Sequence, residues 1–183
     1  MILGLLDSSI AKILTIFSLA PGAKFRRKEL KEKTKLNNVN LDKALITLQN
    51  SKILLKENNY FKLDLNDKTK FLIEIIQKEY KELNEIPLNV FFSILDLVYK
   101  ALVLKNIKIY LFGSYAKLTF KEGSDIDLAV ISDKHLESLE KYALKIEKKY
   151  KTKIQLHFFG TDFAKHKEDP LVREILRNSI KIL

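Results

Sequence analysis

Cysteine is absent from this sequence, which removes structural disulfides and thiolate metal centres and makes a reducing cytoplasm the natural compartment. Arginine is scarce: of 33 basic residues, 29 are Lys and 4 are Arg. The longest apolar stretch near the start, ILTIFSLA, is far too short to span a bilayer. The residues before it include Asp7 and no basic n-region, so a cleaved signal peptide is not expected and the chain reads as soluble and intracellular. There is no P-loop and no serine-centred nucleophile elbow. His135, His157 and His166 are spaced too far apart for a zinc set. The aromatic residues are mostly Phe at core-like spacing, which argues against a base-stacking platform.

What is present suffices for a folded protein. The 183 residues are 46% apolar, enough for one ordinary domain or two small ones with a real core. The net charge is +10, which suits acidic partners such as nucleotides or nucleic acid. A bias toward Lys, Ile and Asn would also raise the charge without selecting a partner, so its distribution is more informative. Residues 21–64 hold 11 Lys or Arg and 5 Asp or Glu, so more than half of the excess lies in less than a quarter of the chain.

The chain divides into three sections. In residues 1–65, Asp7 or Ser8 can cap a helix carrying Ile10, Ile13, Leu14 and Phe17 on one face, with Pro21-Gly22 ending it. A second helix fits RRKELKEKTKL. A third is expected to start at the cap Asn40 and to align Leu41, Ala44, Leu45 and Leu48. Two strand-like runs then flank Asn58-Asn59, a pair suited to a tight hairpin. Three helices and a hairpin resemble a winged helix-turn-helix. That resemblance implies a DNA-contacting face of Asn38, Asn40, Asp42, Lys43 and Thr47, with Lys56 and Lys62 on the wing. Dimerisation or packing is the competing use of such a module.

Residues 66–105 read as a helical connection. Asn66 or Asp67 caps a helix with Phe71, Leu72, Ile75, Ile76 and Leu83 as its apolar positions, and Pro87 starts a segment that is apolar nearly all round.

Residues 106–183 alternate in type. IKIYLFG, DIDLAVI and KTKIQLHFF read as strands, with a helix between the second and third. A final helix begins at Pro170, and SIKIL adds a short strand, so the section is α+β with a small sheet. Within it, strand alternation points Asp125 and Asp127 the same way and sends Ile126, Leu128 and Val130 into the core. Two carboxylates so close repel unless a cation lies between them, and a hard divalent ion such as Mg²⁺ meets that need. Gly113-Ser114, where a strand ends, permits close backbone approach and offers amide and hydroxyl donors to phosphate oxygens.

Gly113-Ser114-Tyr115-Ala116, followed by Ser124-Asp125-Ile126-Asp127-Leu128, closely resembles the signature of the DNA polymerase β-type nucleotidyltransferase superfamily, in particular its minimal nucleotidyltransferase branch. The resemblance covers residues 106–183 and implies a small mixed sheet flanked by helices. Gly113, Ser114, Lys117 and Ser124 would bind substrate, and Asp125 and Asp127 would bind the metal, with a two-metal site as an option. The implied reaction moves NMP from an NTP, with ATP the expected donor, to an acceptor and releases pyrophosphate. Members of this branch are often paired with a helical partner protein in toxin–antitoxin modules, and some adenylylate that partner. A homodimer is a further option.

Two positions depart from the pattern. Lys117-Leu118 stands where the family has Arg-Gly, so a point charge replaces a bidentate fork. On the third strand, where active members offer a third carboxylate, alternation presents Gln155 and His157. Gln155 cannot act as a base, and His157 is offset by two residues. Glu122 and Asp133 are spare acids nearby. The expected function is therefore a Mg²⁺-dependent nucleotidyltransferase. The competing expectation is a DNA-binding regulator or antitoxin-like protein whose nucleotide-binding domain is weak or inactive.

Overall fold

A computed structural model describes residues 6–83, 85–104, 106–134 and 136–183; His135 lies outside them. The chain separates into two compact units, one running through Glu82 and the other Leu83–Leu183.

The first unit begins with α1 (Ser8–Leu19), capped by Asp7, whose carboxylate accepts from the amides of Ser9 at 2.9 Å and Ile10 at 3.3 Å. β1 (Phe25–Arg26) leads into α2 (Arg27–Thr34), and α3 (Asn38–Asn50) follows. The cap of α3 is Asn37 and not the expected Asn40: the Asn37 side chain accepts from the amide of Asn40 at 2.8 Å, so Asn40 lies inside the first turn. Leu41, Ala44, Leu45 and Leu48 are buried as their spacing predicts. The Arg27 guanidinium forks onto the Asp42 carboxylate at 2.6 and 2.9 Å and so ties α2 to α3. β2 (Leu54–Glu57) and β3 (Tyr60–Leu63) form the hairpin, with Asn58 at φ 53° in the turn, and the antiparallel sheet has the order β1-β3-β2.

α4 (Asp67–Glu82) packs on α1, and Asn66 caps it by accepting from the Thr69 amide at 3.0 Å. Phe71, expected on its apolar face, is 67% exposed. The buried stripe runs instead through Thr69, Ile73 and Ile76 at spacings of four and three, and Phe71 falls off that stripe. The 66–105 stretch is split by the division of the chain, because α5 (Leu88–Leu102) packs on α7 (Glu137–Tyr150) of the second unit.

In the second unit, β4 (Lys108–Phe112), β5 (Ile126–Ile131), β6 (Ile154–Phe159) and β7 (Ile180–Lys181) form a mixed sheet of order β6-β5-β4-β7. β5 and β6 are parallel and joined through α7, while β4 runs antiparallel to both β5 and β7. One face holds Ile109, Leu111, Ile126, Leu128 and Val130, all fully buried. On the other face, Phe112, Ala129 and Ile131 cluster with Phe163 and with Val172 and Ile175 of α8 (Pro170–Asn178). Asp127 lies two residues before Ala129, so α8 covers the sheet face on which Asp127 stands.

Candidate active site

β4 ends at Phe112 and turns directly into α6 (Gly113–Ala116), a single helical turn that reverses the chain beside the start of β5. Phe112 pairs with Asp127, so Gly113 lies beside the Asp127 carboxylate. Two facts make glycine necessary there. Its φ is +67°, in the left-handed region, and a Cβ at this position would sit 2.1 Å from Asp127 Oδ2 and 2.9 Å from Cγ.

The loop from α6 back to β5 is closed by its own hydrogen bonds. The Thr119 amide donates to the Ser114 carbonyl at 3.0 Å, and the Lys121 amide to the Ser124 hydroxyl at 2.8 Å. Tyr115 is buried and stacks on Phe120 with centroids 4.6 Å apart. Ser124, expected to bind substrate, thus uses its hydroxyl to hold this turn. Leu118, where the related signature has glycine, holds a left-handed φ of 58°, a conformation that glycine adopts without the cost of a Cβ.

The two aspartates are brought together as expected, but in different surroundings. Asp125, one residue ahead of β5, has its Oδ2 taken by the Gln155 amide at 2.5 Å, and Lys153 Nζ lies 4.0 Å from its Oδ1. Asp127 holds its proton more tightly than an ordinary carboxyl. Burial is the main cause; Asp125 and Glu174 add to it, while His157 and Lys117 oppose it. Gln155 pairs with Asp127 across the parallel strands, at the third-strand position where the related signature implies a carboxylate. His157 lies opposite Ala129 and meets Phe112 edge-on at 5.2 Å, on the same face and within electrostatic reach of Asp127. Asp133 is remote: it lies beyond the far end of β5, roughly 20 Å along the strand from Asp127, and accepts from the Thr161 hydroxyl at 2.8 Å. Glu122 is exposed in the loop.

The donor set suits a hard cation. Magnesium takes one or two carboxylates and completes its shell with water and phosphate oxygens, and Asp125 with Asp127 supplies that pair. Among the described residues, no three His, Cys, Asp or Glu converge as a metal site.

The final helix starts at Pro170 as expected, but its place beside the acid pair was not foreseen. Lys117, expected to meet phosphate, is held by Glu174 of α8 at 2.7 Å. The same helix brings Arg173 and Arg177 to the rim of a polar cavity beside Lys117. The available signal was the pair of arginines four residues apart in a chain that has only four.

Residues 94–183 match the family described as Nucleotidyltransferase domain. The match covers just under half of the chain and includes Gly113, Ser114, both aspartates, Gln155 and α8. Neither the curated proteins nor the solved structures contain a significant match. A nucleotidyltransferase domain suggests NMP transfer in general, and its mixed α+β build agrees with the architecture found here. No described helix is long and apolar enough to cross a membrane.

The positions expected to contact DNA lie in the first unit, in and after α3. Asn38, Asn40, Lys43, Thr47 and Lys56 are exposed. The Thr47 hydroxyl, however, donates to the Lys43 carbonyl at 3.0 Å, and Asn38 accepts from Arg27 at 3.4 Å. Lys56 lies over the Phe61 ring at 5.8 Å, and Asp42 is occupied by Arg27.

Proposed function

We propose that the second unit transfers NMP from an NTP to an acceptor hydroxyl, with Asp125 and Asp127 holding magnesium. The observation that carries this reading is the seating of Gly113 against the Asp127 carboxylate. It brings the start of α6 alongside the Asp127 carboxylate, as a phosphate beside a metal requires. Gly113 and Ser114 orient the phosphates through main-chain amides and the Ser114 hydroxyl. Gln155 fixes the rotamer of Asp125 through its 2.5 Å hydrogen bond. A metal held by Asp125 and Asp127 would supply charge neutralisation on the phosphates. The acceptor oxygen bonds to the α-phosphorus in line as the bond to pyrophosphate breaks. ATP is the donor we favour.

Magnesium-dependent NTP consumption, followed as pyrophosphate release, is expected in the purified protein and is lost in Asp127→Asn. Unchanged turnover in a folded Asp127→Asn protein overturns the assignment.

A second reading rests on the first unit, whose helix order and hairpin resemble a winged helix-turn-helix. The exposed side of α3 carries Asn40, Lys43 and Thr47 within a segment of net charge +6. In this reading the chain is a DNA-binding regulator or antitoxin-like protein. Duplex binding should then weaken steeply with salt. Lys43→Glu with Lys56→Glu should weaken it at least about tenfold and flatten the salt slope by about one to two. Equal binding by the double variant removes this reading and leaves the first untouched.

A further inference from the structure

Four arginines serve this chain, and two of them line one cavity. Arg173 and Arg177 lie one turn apart on α8 and, with Lys117, Glu174, Pro170 and Asn178, line an open recess of about 320 Å³. The other two arginines are engaged elsewhere, Arg27 forked on Asp42 and Arg26 bonded to the Tyr60 hydroxyl at 2.7 Å. In a sequence that otherwise uses lysine for positive charge, arginine marks places where a planar, bidentate donor is needed.

The electrostatics of the cavity are unbalanced. Glu174 is matched by Lys117 at 2.7 Å. Arg173 donates to the main-chain carbonyls of Lys167 at 3.3 Å and Glu168 at 3.2 Å and has no ion pair among the described residues. Arg177 is exposed and has no hydrogen bond or ion pair among the described residues. Two full positive charges therefore face one polar recess. That recess adjoins the acid pair, because Lys117 follows α6 directly and both Lys117 and Glu174 act on Asp127.

We propose that this recess under α8 is an anion subsite for phosphate groups, with Arg177 and Arg173 as the principal donors. It is separate from the Gly113-Ser114 turn and takes phosphate lying beyond the one that reacts. The Lys117–Glu174 pair forms its wall toward Asp127. Two sources share this chemistry: the distal phosphates of the NTP itself, and a phosphate carried by a second ligand. The proposal deepens the transferase reading, but its test does not depend on turnover.

Equilibrium binding of pyrophosphate, tripolyphosphate, ATP and AMP to the full chain, measured by calorimetry without metal, decides the matter. Pyrophosphate and tripolyphosphate should bind, and Arg177→Ala should weaken both by about tenfold, as loss of a charge-assisted contact requires. Arg177→Glu should weaken them further, and Arg177→Lys should recover only part of the loss. If the NTP is the source, Arg177→Ala weakens ATP and leaves AMP unchanged. If a second ligand is the source, ATP and AMP are both unaffected and ATP does not displace bound pyrophosphate. Arg177 is a surface residue, so a thermal melt matching the parent protein confirms that each variant is folded. Equal polyphosphate affinity in the parent and Arg177→Glu overturns the proposal while leaving the Asp127→Asn result to judge the transferase reading.

Discussion

Replacing Gly113 by alanine tests the proposed geometry most directly, because its two costs can be separated. The left-handed φ of +67° alone should cost about 1–2 kcal/mol with a Cβ present. The second cost falls on the site. The new methyl would lie 2.1 Å from Asp127 Oδ2 and 3.1 Å from its Cβ, so rotation of the short side chain must carry the carboxylate away. A displacement of about 1 Å at a reacting centre can cost roughly 100-fold in rate. Gly123→Ala provides the control, since Gly123 has a φ of +82° and a methyl added there would meet nothing within 4 Å. Both variants should therefore melt several degrees lower, at roughly 4–8 °C per kcal/mol for a unit near 100 residues. Only Gly113→Ala should lose magnesium-dependent NTP consumption, by about 100-fold or more. Equal activity losses in the two variants, or full activity in Gly113→Ala, would refute the claim that Gly113 exists to seat Asp127.

Burial holds the Asp127 carboxyl above its ordinary 3.8, so the folded state binds its proton more tightly than the unfolded state. Stability then falls as pH rises through the window above 3.8, and Asp127→Asn should be the more stable protein at neutral pH without metal, with the gap closing below that value. Melting curves at pH 3 and pH 7 read this directly, and a gap that widens in acid contradicts it. Gln155→Glu places a carboxylate against Asp125 in place of a 2.5 Å hydrogen bond; it should lower the metal-free melting temperature and tighten Mn²⁺ binding by about tenfold, read by paramagnetic titration. Tyr150→Phe removes the hydroxyl that donates at 2.8 Å to Asp96, a carboxylate only 5% exposed, and should cost about 1–3 kcal/mol in denaturant unfolding. A loss below about 0.5 kcal/mol would mean that the other partners of Asp96, with Lys149 at 3.0 Å among them, satisfy it without the hydroxyl.

Much of the second unit was legible because its signals are local. Alternation along DIDLAVI fixes which residues enter the core, and Ile126, Leu128 and Val130 are fully buried. The Gly-Ser pair and the Asp pair meet because β4 and β5 are antiparallel neighbours, which short hairpin-like spacing favours. Legibility ended where partners are distant in sequence. Nothing local announces that Lys117 pairs with Glu174, 57 residues later, or that α8 roofs the face bearing Asp127. The shift of the α3 cap from Asn40 to Asn37 has a different origin. Both are asparagines with capping potential, and the side chain that reaches a free amide wins. Phe71 misled for a third reason: several apolar residues on α4 compete for one stripe, and packing on α1 selects Ile73 and Ile76.

The absence of a third carboxylate has a consequence that the paired aspartates alone would hide. With glutamine at 155, the site holds two acids with unequal support. Asp125 is steadied by an amide donor and faces Lys153, whereas Asp127 is enclosed, close to Asp125 and Glu174, and penalised for its charge. A cation near both would relieve mainly Asp127, because that carboxylate loses most by being ionised without one. The metal-free protein should therefore bind its first divalent ion with release of a proton from Asp127, and that release should grow as the pH is lowered. Calorimetry of Mn²⁺ binding in two buffers of different ionisation enthalpy counts those protons. Proton release that persists unchanged in Asp127→Asn would assign it to Asp125 instead, and would reverse the order of importance argued for the two carboxylates.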